Sequence, residues 1–467
     1  MTKNRTEVAD IDRSLYDFTY GEEGFERLDA GITPDIVREI SAKKDEPQWM
    51  LDLRLKSLEI FNRFPDPTWG SIEGLDMDNI VTYVKPNTDQ KHDWESVPDD
   101  IKNTFERLGI PEPSAATWRR RRAVRLRAGL PQHAGHRVQD GYRLFRHRGG
   151  PARPAVGAAH PREVYDAHPA HRPQVCGPAW CRVVGRLVCL RAKGTKLDFP
   201  LQSYFRLNAK GAGQFEHTLI IVEDDADLHF IEGCSAPKYN VANLHAGAVE
   251  LFVGKRAHLR YSTIENWSKN MYNLNTKRAR VDEDGDIEWI SGSFGSHVGY
   301  LYPMSVLNGR RARSSFTGIT FAGAGQNLDT GCKVVLNAPE TSATVETKGI
   351  SKSGGIQTFR SSIVATPKAE VPSNRELPVA HARRPEPLRH HPRHGHPRQE
   401  RRHRPRGHHR PHRRRQGVLP DEPRHLGGRG PHHDRQRLCN PVSKELPLEY
   451  AVEMNNLIKL EMEGAIG

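Results

Sequence analysis

The feature that most constrains the fold is a motif that recurs every 27 to 31 residues between residues 193 and 367. In each copy, a polar turn with one small residue precedes a run of alternating or β-branched residues, which is typical of a strand. A strand-only repeat of about 20 to 50 residues indicates a β-solenoid, whose turns stack and bury their inward side chains against one another. An ordinary β-sandwich is the alternative, and the regular spacing favours the solenoid. The small residues lie 31, 28, 27 and 31 positions apart and are Ala226, Ala257, Gly285, Ala312 and Ala343.

The segment before this core, residues 1–113, predicts a helical region. Thr33 is suited to cap a helix, and Pro34 suits the first helical position. A second predicted helix follows, and we expect Trp49 and Met50 to pack into its core-facing side.

The far end of the chain and its overall composition set further limits. Residues 440–467 predict a C-terminal helical segment that Pro447 can begin. No apolar run approaches the roughly 18 to 20 residues of a membrane span, and residues 1–20 do not resemble a signal peptide. The six cysteines have no regular spacing. We therefore expect a cytoplasmic protein without a disulfide framework.

Two blocks carry the positive charge of the chain. Residues 114–192 hold 16 arginines, no lysine and three acidic residues, and residues 369–443 hold 18 arginines, no lysine and seven acidic residues. The net charge of +13 therefore combines +24 from these blocks with −11 from the remainder. The second block also holds half of the 24 histidines, and it shows no hydrophobic period.

Three interpretations of these blocks compete. An arginine-rich segment would bind nucleic acid through its phosphates, and a histidine-rich tract would bind metal. Translation out of frame is the third interpretation, which we favour, because GC-rich codons encode Arg, Pro, Gly, Ala and His but not Lys or Ile. The frameshifted blocks are placed at 114–192 and 375–439, which leaves 193–374 as the β-helix core.

Several long phrases outside these blocks resemble SufB proteins, the scaffold subunits in the SufB/SufD family of the SUF iron–sulfur cluster assembly system. The phrases are EPQWMLDLRLKSLEIF (46–61), FPLQSYFRLNAKGAGQFEHTLIIVE (199–223), FIEGCSAPKYN (230–240), STIENWS (262–268), NLNTKRA (273–279) and SKELPLEYAVEMNNLIKLEMEGAIG (443–467). The resemblance implies a mainly β fold, with a right-handed parallel β-helix core flanked by N- and C-terminal helical regions.

The resemblance also assigns roles to individual residues. Cys234 matches a family cysteine that accepts sulfur, although on residues alone it reads as a buried structural cysteine. Four further positions match an internal sulfur passage, and they are Arg206, Asn208, Trp267 and Lys277. The cations among them are expected to lower the thiol pKa or to stabilise a persulfide anion. Cys332 is predicted to be a core residue.

The family implies partners rather than an enzymatic activity of the chain itself. A transient iron–sulfur cluster would be assembled with the ATPase SufC, with SufD or a second SufB, and with a SufE or SufU sulfur donor. ATP is expected to bind SufC, because this chain has no G-x-x-x-x-G-K-[ST] loop. The family's cluster-ligating cysteine falls within 375–439 and cannot be identified there, so we expect impaired assembly and predict no resident metal site.

Two functions from other classes remain open at this point. The chain could be an arginine-rich nucleic-acid-binding protein on a β-solenoid body, in which case binding would fall steeply with salt. A β-helix enzyme that acts on polysaccharide is disfavoured, because such an enzyme usually carries an export signal.

Overall fold

The computed structural model describes residues 25–63, 72–86, 193–194, 196, 200–207 and 209–369, and the backbone of strands 124–127, 142–145, 185–191 and 388–395. The predictions for Asn208, for most of both arginine-rich blocks and for the C-terminal helix lie outside the described residues.

The N-terminal region contains two helices and a small antiparallel sheet of β1 and β2. Thr33 caps the first helix as predicted, because its Oγ1 accepts a hydrogen bond from the Ile36 N–H at 3.2 Å. The prediction that Trp49 is a core residue is wrong: its side chain is 43% exposed, whereas the neighbouring Met50 is buried. Adjacent helical positions point in different directions, so only one of the two faces the core. The elements are β1 (Phe25–Arg27), α1 (Pro34–Lys43), α2 (Gln48–Arg63), a 3₁₀ helix (Met77–Asn79) and β2 (Val84–Pro86).

The rest of the described chain forms a parallel β-solenoid of about six turns, which confirms the predicted β-helix core and the mainly β class. Most successive strands alternate between two sheets, and every strand pairing in these sheets is parallel except that of β4 with β5. The strands are β3 (Val124–Arg127), β4 (Tyr142–Phe145), β5 (Gly185–Arg191), β6 (Leu201–Arg206), β7 (Gly213–Val222), β8 (Asp227–Ser235), β9 (Asn243–Val253), β10 (His258–Trp267), β11 (Met271–Val281), β12 (Asp286–Gly295), β13 (Val298–Leu301), β14 (Met304–Leu307), β15 (Arg313–Ala322), β16 (Asn327–Leu336), β17 (Ser342–Ser351), β18 (Ile356–Ala365) and β19 (Leu388–Gly395).

The two sheets differ in their strand order. The seven-stranded sheet has the order β17-β15-β12-β10-β8-β6-β3. The ten-stranded sheet has the order β19-β18-β16-β13-β11-β9-β7-β5-β4, with β14 pairing β11 and β16. A strand in either sheet therefore pairs with the strands one turn before and one turn after it.

The repeated turns have a common backbone geometry. In each turn one residue adopts a left-handed conformation with φ between 53° and 60°, and the next residue is small and buried. The first four small residues are those predicted, but the fifth is Thr341 and not Ala343, because Ser342 pairs with Arg313 at the start of β17. The left-handed residues are Asp225, Arg256, Asp284, Arg311 and Glu340.

The outer face of the ten-stranded sheet is covered by the segment 72–81. Ile72, Leu75 and Met77 pack there against a buried cluster that includes Phe215 and Tyr272. The Tyr272 hydroxyl donates a hydrogen bond to the Glu73 carbonyl oxygen at 2.5 Å. In the part of the chain that the structure describes, no helix is long and apolar enough to cross a membrane.

Replacement of a stacked interior residue tests the solenoid core. Leu259 is fully buried in the main apolar cluster, so Leu259→Ala is expected to lower the free energy of unfolding by about 2–5 kcal/mol. The matched control is Val241→Ala, since that side chain is 37% exposed and its loss is expected to cost less than about 0.5 kcal/mol. Urea unfolding measures both variants, and equal losses would contradict the assigned core.

Candidate functional site

A band of polar side chains crosses the interior of the solenoid. The inward positions of β8 change along the strand from apolar Leu228 and Phe230 to Glu232 and Cys234. Those of β11 change in the opposite sense, from Asn273, Asn275 and Lys277 to Ala279 and Val281. The polar halves of the two sheets therefore meet across the core.

The centre of the band is a buried ion pair between the two sheets. The Lys277 ammonium donates hydrogen bonds to Glu232 Oε1 at 3.0 Å and to Thr263 Oγ1 at 2.9 Å. The Tyr261 hydroxyl donates to Glu232 Oε2 at 2.5 Å. Each of these side chains is at most 3% exposed. Burial of charges is unfavourable unless they are paired and hydrogen-bonded, and Glu232 meets both conditions.

Glu265 is a second carboxylate beside the same ammonium. Its Oε1 lies 4.0 Å from Lys277 Nζ and accepts a hydrogen bond from Asn275 Nδ2 at 3.0 Å. Its Oε2 accepts from Asn273 Nδ2 at 2.7 Å. Burial nevertheless raises the pKa of Glu265 above its usual value, against the lowering effect of Lys277 and His245. Glu265 therefore takes up a proton more readily than an exposed glutamate.

A buried histidine extends the band toward β7. His245 Nδ1 lies 2.8 Å from Asn273 Oδ1, and Nε2 lies 3.0 Å from Glu216 Oε1. Because Asn273 donates its amide hydrogen to Glu265, its oxygen faces His245, so His245 Nδ1 carries a proton. Burial lowers the pKa of His245, but the hydrogen bond and the charge of Glu216 outweigh burial and raise the pKa. Gln214 Nε2 in turn donates to Glu216 Oε2 at 2.8 Å.

Cys234 lies at the edge of this band and is 1% exposed. It pairs with Phe205 on one side and with Glu265 on the other in the seven-stranded sheet. Burial raises the pKa of its thiol well above the usual value, and Glu232, Glu216 and Glu265 raise it further. Lys277 lowers it, as the sequence predicts, but the net effect is opposite to the prediction.

Of the other predicted passage residues that the structure describes, Trp267 packs beside Cys234, and Arg206 contacts the residue that follows it. Trp267 is fully buried in an apolar cluster that includes Cys234, and its ring lies 4.6 Å from that of His245. Its Nε1 has no hydrogen-bond partner among the described residues. Arg206 is 4% exposed and donates to Ser235 Oγ, next to Cys234 in the chain, at 3.1 Å. Cys332 is buried in the main apolar cluster, as predicted.

The structure adds residues that the sequence prediction left out. They are Glu216, Glu232, His245 and Glu265, which hold Cys234 and Lys277 within one hydrogen-bonded and charged group. In the sequence these residues can be recognised only because every second residue of a strand faces inward, and these inward residues change from apolar to ionisable halfway along each strand. That change becomes informative only when the two sheets are known to face each other.

These observations define a β-solenoid protein that encloses a cysteine within a buried charged band. Residues 205–377 match the family model for the SUF system FeS cluster assembly, SufBD core domain. An iron–sulfur cluster assembly SufBD family protein of Staphylococcus aureus (strain MRSA252) is 36% identical over an alignment that covers 100% of both chains. A SufBD family protein of Staphylococcus epidermidis (strain ATCC 35984) is also 36% identical, with 100% of both chains covered. The chain therefore belongs to the SufBD family and takes part in SUF iron–sulfur cluster assembly.

The family confirms the resemblance seen in the sequence at the level of SufBD. It favours cluster assembly over the nucleic-acid and polysaccharide alternatives. The alignments span both arginine-rich blocks without testing their reading frame, so the frameshift stays a prediction.

Removal of the buried ammonium tests the charge balance of the band. Lys277→Met leaves Glu232 and Glu265 without their cation, and we expect a loss of about 3–5 kcal/mol at neutral pH. The pKa of Glu265 is already raised, and loss of Lys277 raises it further. The folded variant then binds protons more readily than the unfolded chain, so its deficit is smaller near about pH 5 than near neutral pH.

The matched control is Lys255→Met. Lys255 is 54% exposed and lies 3.6 Å from Glu283 on the surface, so its removal is expected to cost less than about 1 kcal/mol. Urea unfolding at both pH values measures the two variants. A Lys277→Met deficit that matches the control, or that grows on acidification, would contradict the assigned ion pair.

Proposed function

We propose that the chain is a SufB-type scaffold that accepts sulfur at Cys234 during iron–sulfur cluster assembly. The observation that carries this proposal is the burial of Cys234 beside an ammonium, an indole and an imidazole inside the solenoid. A thiol in this position is shielded from solvent, and shielding protects a reactive sulfur species from oxidation.

The transfer step is a thiol exchange. The Cys234 thiolate attacks the terminal sulfur of a donor persulfide, a new S–S bond forms on Cys234, and the donor S–S bond breaks. The donor cysteine leaves as a thiolate and takes up a proton, so no external oxidant or reductant is needed. Lys277, which lowers the thiol pKa, favours the attacking anion. The Trp267 Nε1–H is a buried donor available to a sulfur anion.

Arg206 and Trp267 would line the passage along which sulfur leaves Cys234, and Asn208 belongs to the same proposal. Arg206 donates to Ser235, the residue directly after Cys234, so its cationic group lies beside the last residue of β8. Trp267 lies beside the polar band, in the apolar cluster that also contains Cys234.

The working assembly in this proposal includes the ATPase SufC, SufD or a second SufB, and a SufE or SufU sulfur donor. ATP is hydrolysed in SufC, and the iron–sulfur cluster is the product that the scaffold holds transiently. The two arginine-rich blocks would be out-of-frame sequence, so the chain as written would lack the family's cluster-ligating cysteine.

Sulfur transfer tests the role of Cys234. A donor persulfide is mixed with the full chain, and mass spectrometry measures sulfane sulfur on each cysteine. Cys234→Ser is expected to abolish labelling at that position, whereas Cys332→Ser, also buried in the solenoid, leaves the labelling of Cys234 unchanged. Labelling that stays on other cysteines and never reaches Cys234 would refute the proposal.

Paired tryptophan variants test the passage. Trp267→Phe removes an indole N–H without a partner among the described residues, and we expect slower transfer of sulfane sulfur from Cys234 to an added thiol acceptor, followed by mass spectrometry. Trp289→Phe is the matched control, because its Nε1 already donates to Ser305 Oγ at 2.9 Å. The control is expected to lose stability by about 1 kcal/mol but to transfer sulfur normally. Equal transfer rates in the two variants would remove Trp267 from the passage.

The coding DNA for 114–192 and 375–439 tests the reading frame. One of the other two frames is expected to encode an amino-acid sequence typical of a β-helix, with a cysteine and a Glu/His group. The corrected chain would then assemble an oxygen-labile cluster with SufC and SufD, and the chain as written would not. A normal cluster on the chain as written would refute the frameshift. If neither of the other two frames encodes a β-helix sequence, the nucleic-acid alternative becomes the preferred interpretation of the two blocks.

A further inference from the structure

We propose that Glu216, Cys234 and His245 form a binding site for a divalent transition-metal ion inside the solenoid. The site rests on the geometry of these three residues, and its assignment to iron(II) rests on the proposed function. It would hold iron on the same sulfur atom that accepts sulfur.

The three ligand atoms already converge. One carboxylate oxygen of Glu216, Cys234 Sγ and one ring nitrogen of His245 all lie within 4.8 Å of one another, and all three residues are buried. Ligands bound to one tetrahedral metal at about 2.0–2.3 Å lie roughly 3.3–3.6 Å apart. Small side-chain movements therefore suffice to close the site around an ion.

Neighbouring side chains orient the ligands as in known metal sites. Asn273 accepts the Nδ1 proton of His245, which directs Nε2 toward Glu216. Gln214 donates to the second oxygen of Glu216 and leaves the first oxygen facing His245. Metal-bound histidines and carboxylates are held by such outer hydrogen bonds, which fix the tautomer and the ring orientation.

The backbone leaves room for this arrangement at Gly247. A Cβ atom at this position would lie 2.7 Å from Asn275 Oδ1 and 3.5 Å from Glu216 Oε1. The Gly247 N–H instead donates to Asn275 Oδ1 at 2.9 Å. A larger residue would displace Asn275 and would contact Glu216, one of the proposed ligands.

The donor set and the charge suit a transition metal. Thiolate, imidazole and carboxylate together favour zinc(II), iron(II) or cobalt(II) over magnesium or calcium. A divalent ion would balance the charges of the Glu216 carboxylate and of the deprotonated Cys234 in a band that also holds Glu232, Glu265 and Lys277. Binding displaces the thiol proton of Cys234 and the Nε2 proton of His245, and both protons leave to solvent.

A second cluster on the surface serves as the control. His258, Asp286 and Glu288 also lie within 4.8 Å of one another, but they are partly exposed. Arg260 already donates to Glu288 at 2.5 Å, so an ion there would compete with a cation. This cluster contains no sulfur, which makes it distinguishable by spectroscopy.

Cobalt(II) is the probe, added to the full chain during refolding in metal-free buffer. Bonding to Cys234 is expected to give a near-ultraviolet sulfur-to-cobalt charge-transfer band, which histidines elsewhere cannot produce. The band should vanish in Cys234→Ser, and the affinity should fall at least about tenfold in Glu216→Gln and His245→Gln. Cys332→Ser and Glu288→Gln, the matched controls, should retain it. Circular dichroism confirms that each variant folds, and Glu216→Gln preserves a carbonyl acceptor for His245 if Cys234→Ser does not fold.

Absence of the cobalt charge-transfer band in the folded wild-type chain would overturn the metal site. The site would also be overturned if the charge-transfer band stayed unchanged in Cys234→Ser, or in both Glu216→Gln and His245→Gln. Sulfur transfer, measured without metal on the wild-type chain, separates this outcome from the proposed function. Transfer without a cobalt band overturns the metal site alone, whereas a cobalt band without transfer refutes the sulfur function alone.

Discussion

Parallel, in-register stacking of strands is the constraint on which the rest of this structure depends. Four of the five left-handed turn residues donate their N–H to the next turn, as Asp225 does to the Lys255 carbonyl at 2.8 Å and Arg256 to the Glu283 carbonyl at 2.9 Å. These bonds fix the register at the start of β8, β10, β12 and β15 in the seven-stranded sheet. A residue type placed at one position is therefore stacked on the same position of the turns before and after it.

That stacking explains how ionisable groups come to lie in the interior. Glu232 and Lys277 are 45 residues apart, yet their side chains meet at 3.0 Å because one strand of each sheet crosses the same level of the core. An apolar band of the same shape would avoid the cost of burying these charges. The charged band thus departs from the rule that the rest of the core follows, and such departures are typical of functional sites.

The period of the repeat made the fold accessible from sequence, because one small residue per turn is a local signal. This signal fails at Thr341, which occupies the position where a smaller residue was expected. Its buried hydroxyl is accommodated there because it donates a hydrogen bond to the Ala338 carbonyl at 3.0 Å. Trp49 fails for a similar reason, since helical periodicity does not state which face is covered. The site was only partly accessible: Cys234 and Lys277 came from a family resemblance, whereas Glu216 and His245 are defined by contacts between strands.

The raised pKa of Cys234 links the fold to the chemistry. A thiol that is buried beside three carboxylates stays protonated unless a cation or a base compensates, so an isolated Cys234 would be a poor nucleophile. The same carboxylates that oppose the thiolate are suitable acceptors for its proton, and burial raises the pKa of one of them, Glu265. Lys277 alone does not reverse the balance. Activation of this cysteine therefore has to coincide with the arrival of positive charge or the departure of a proton.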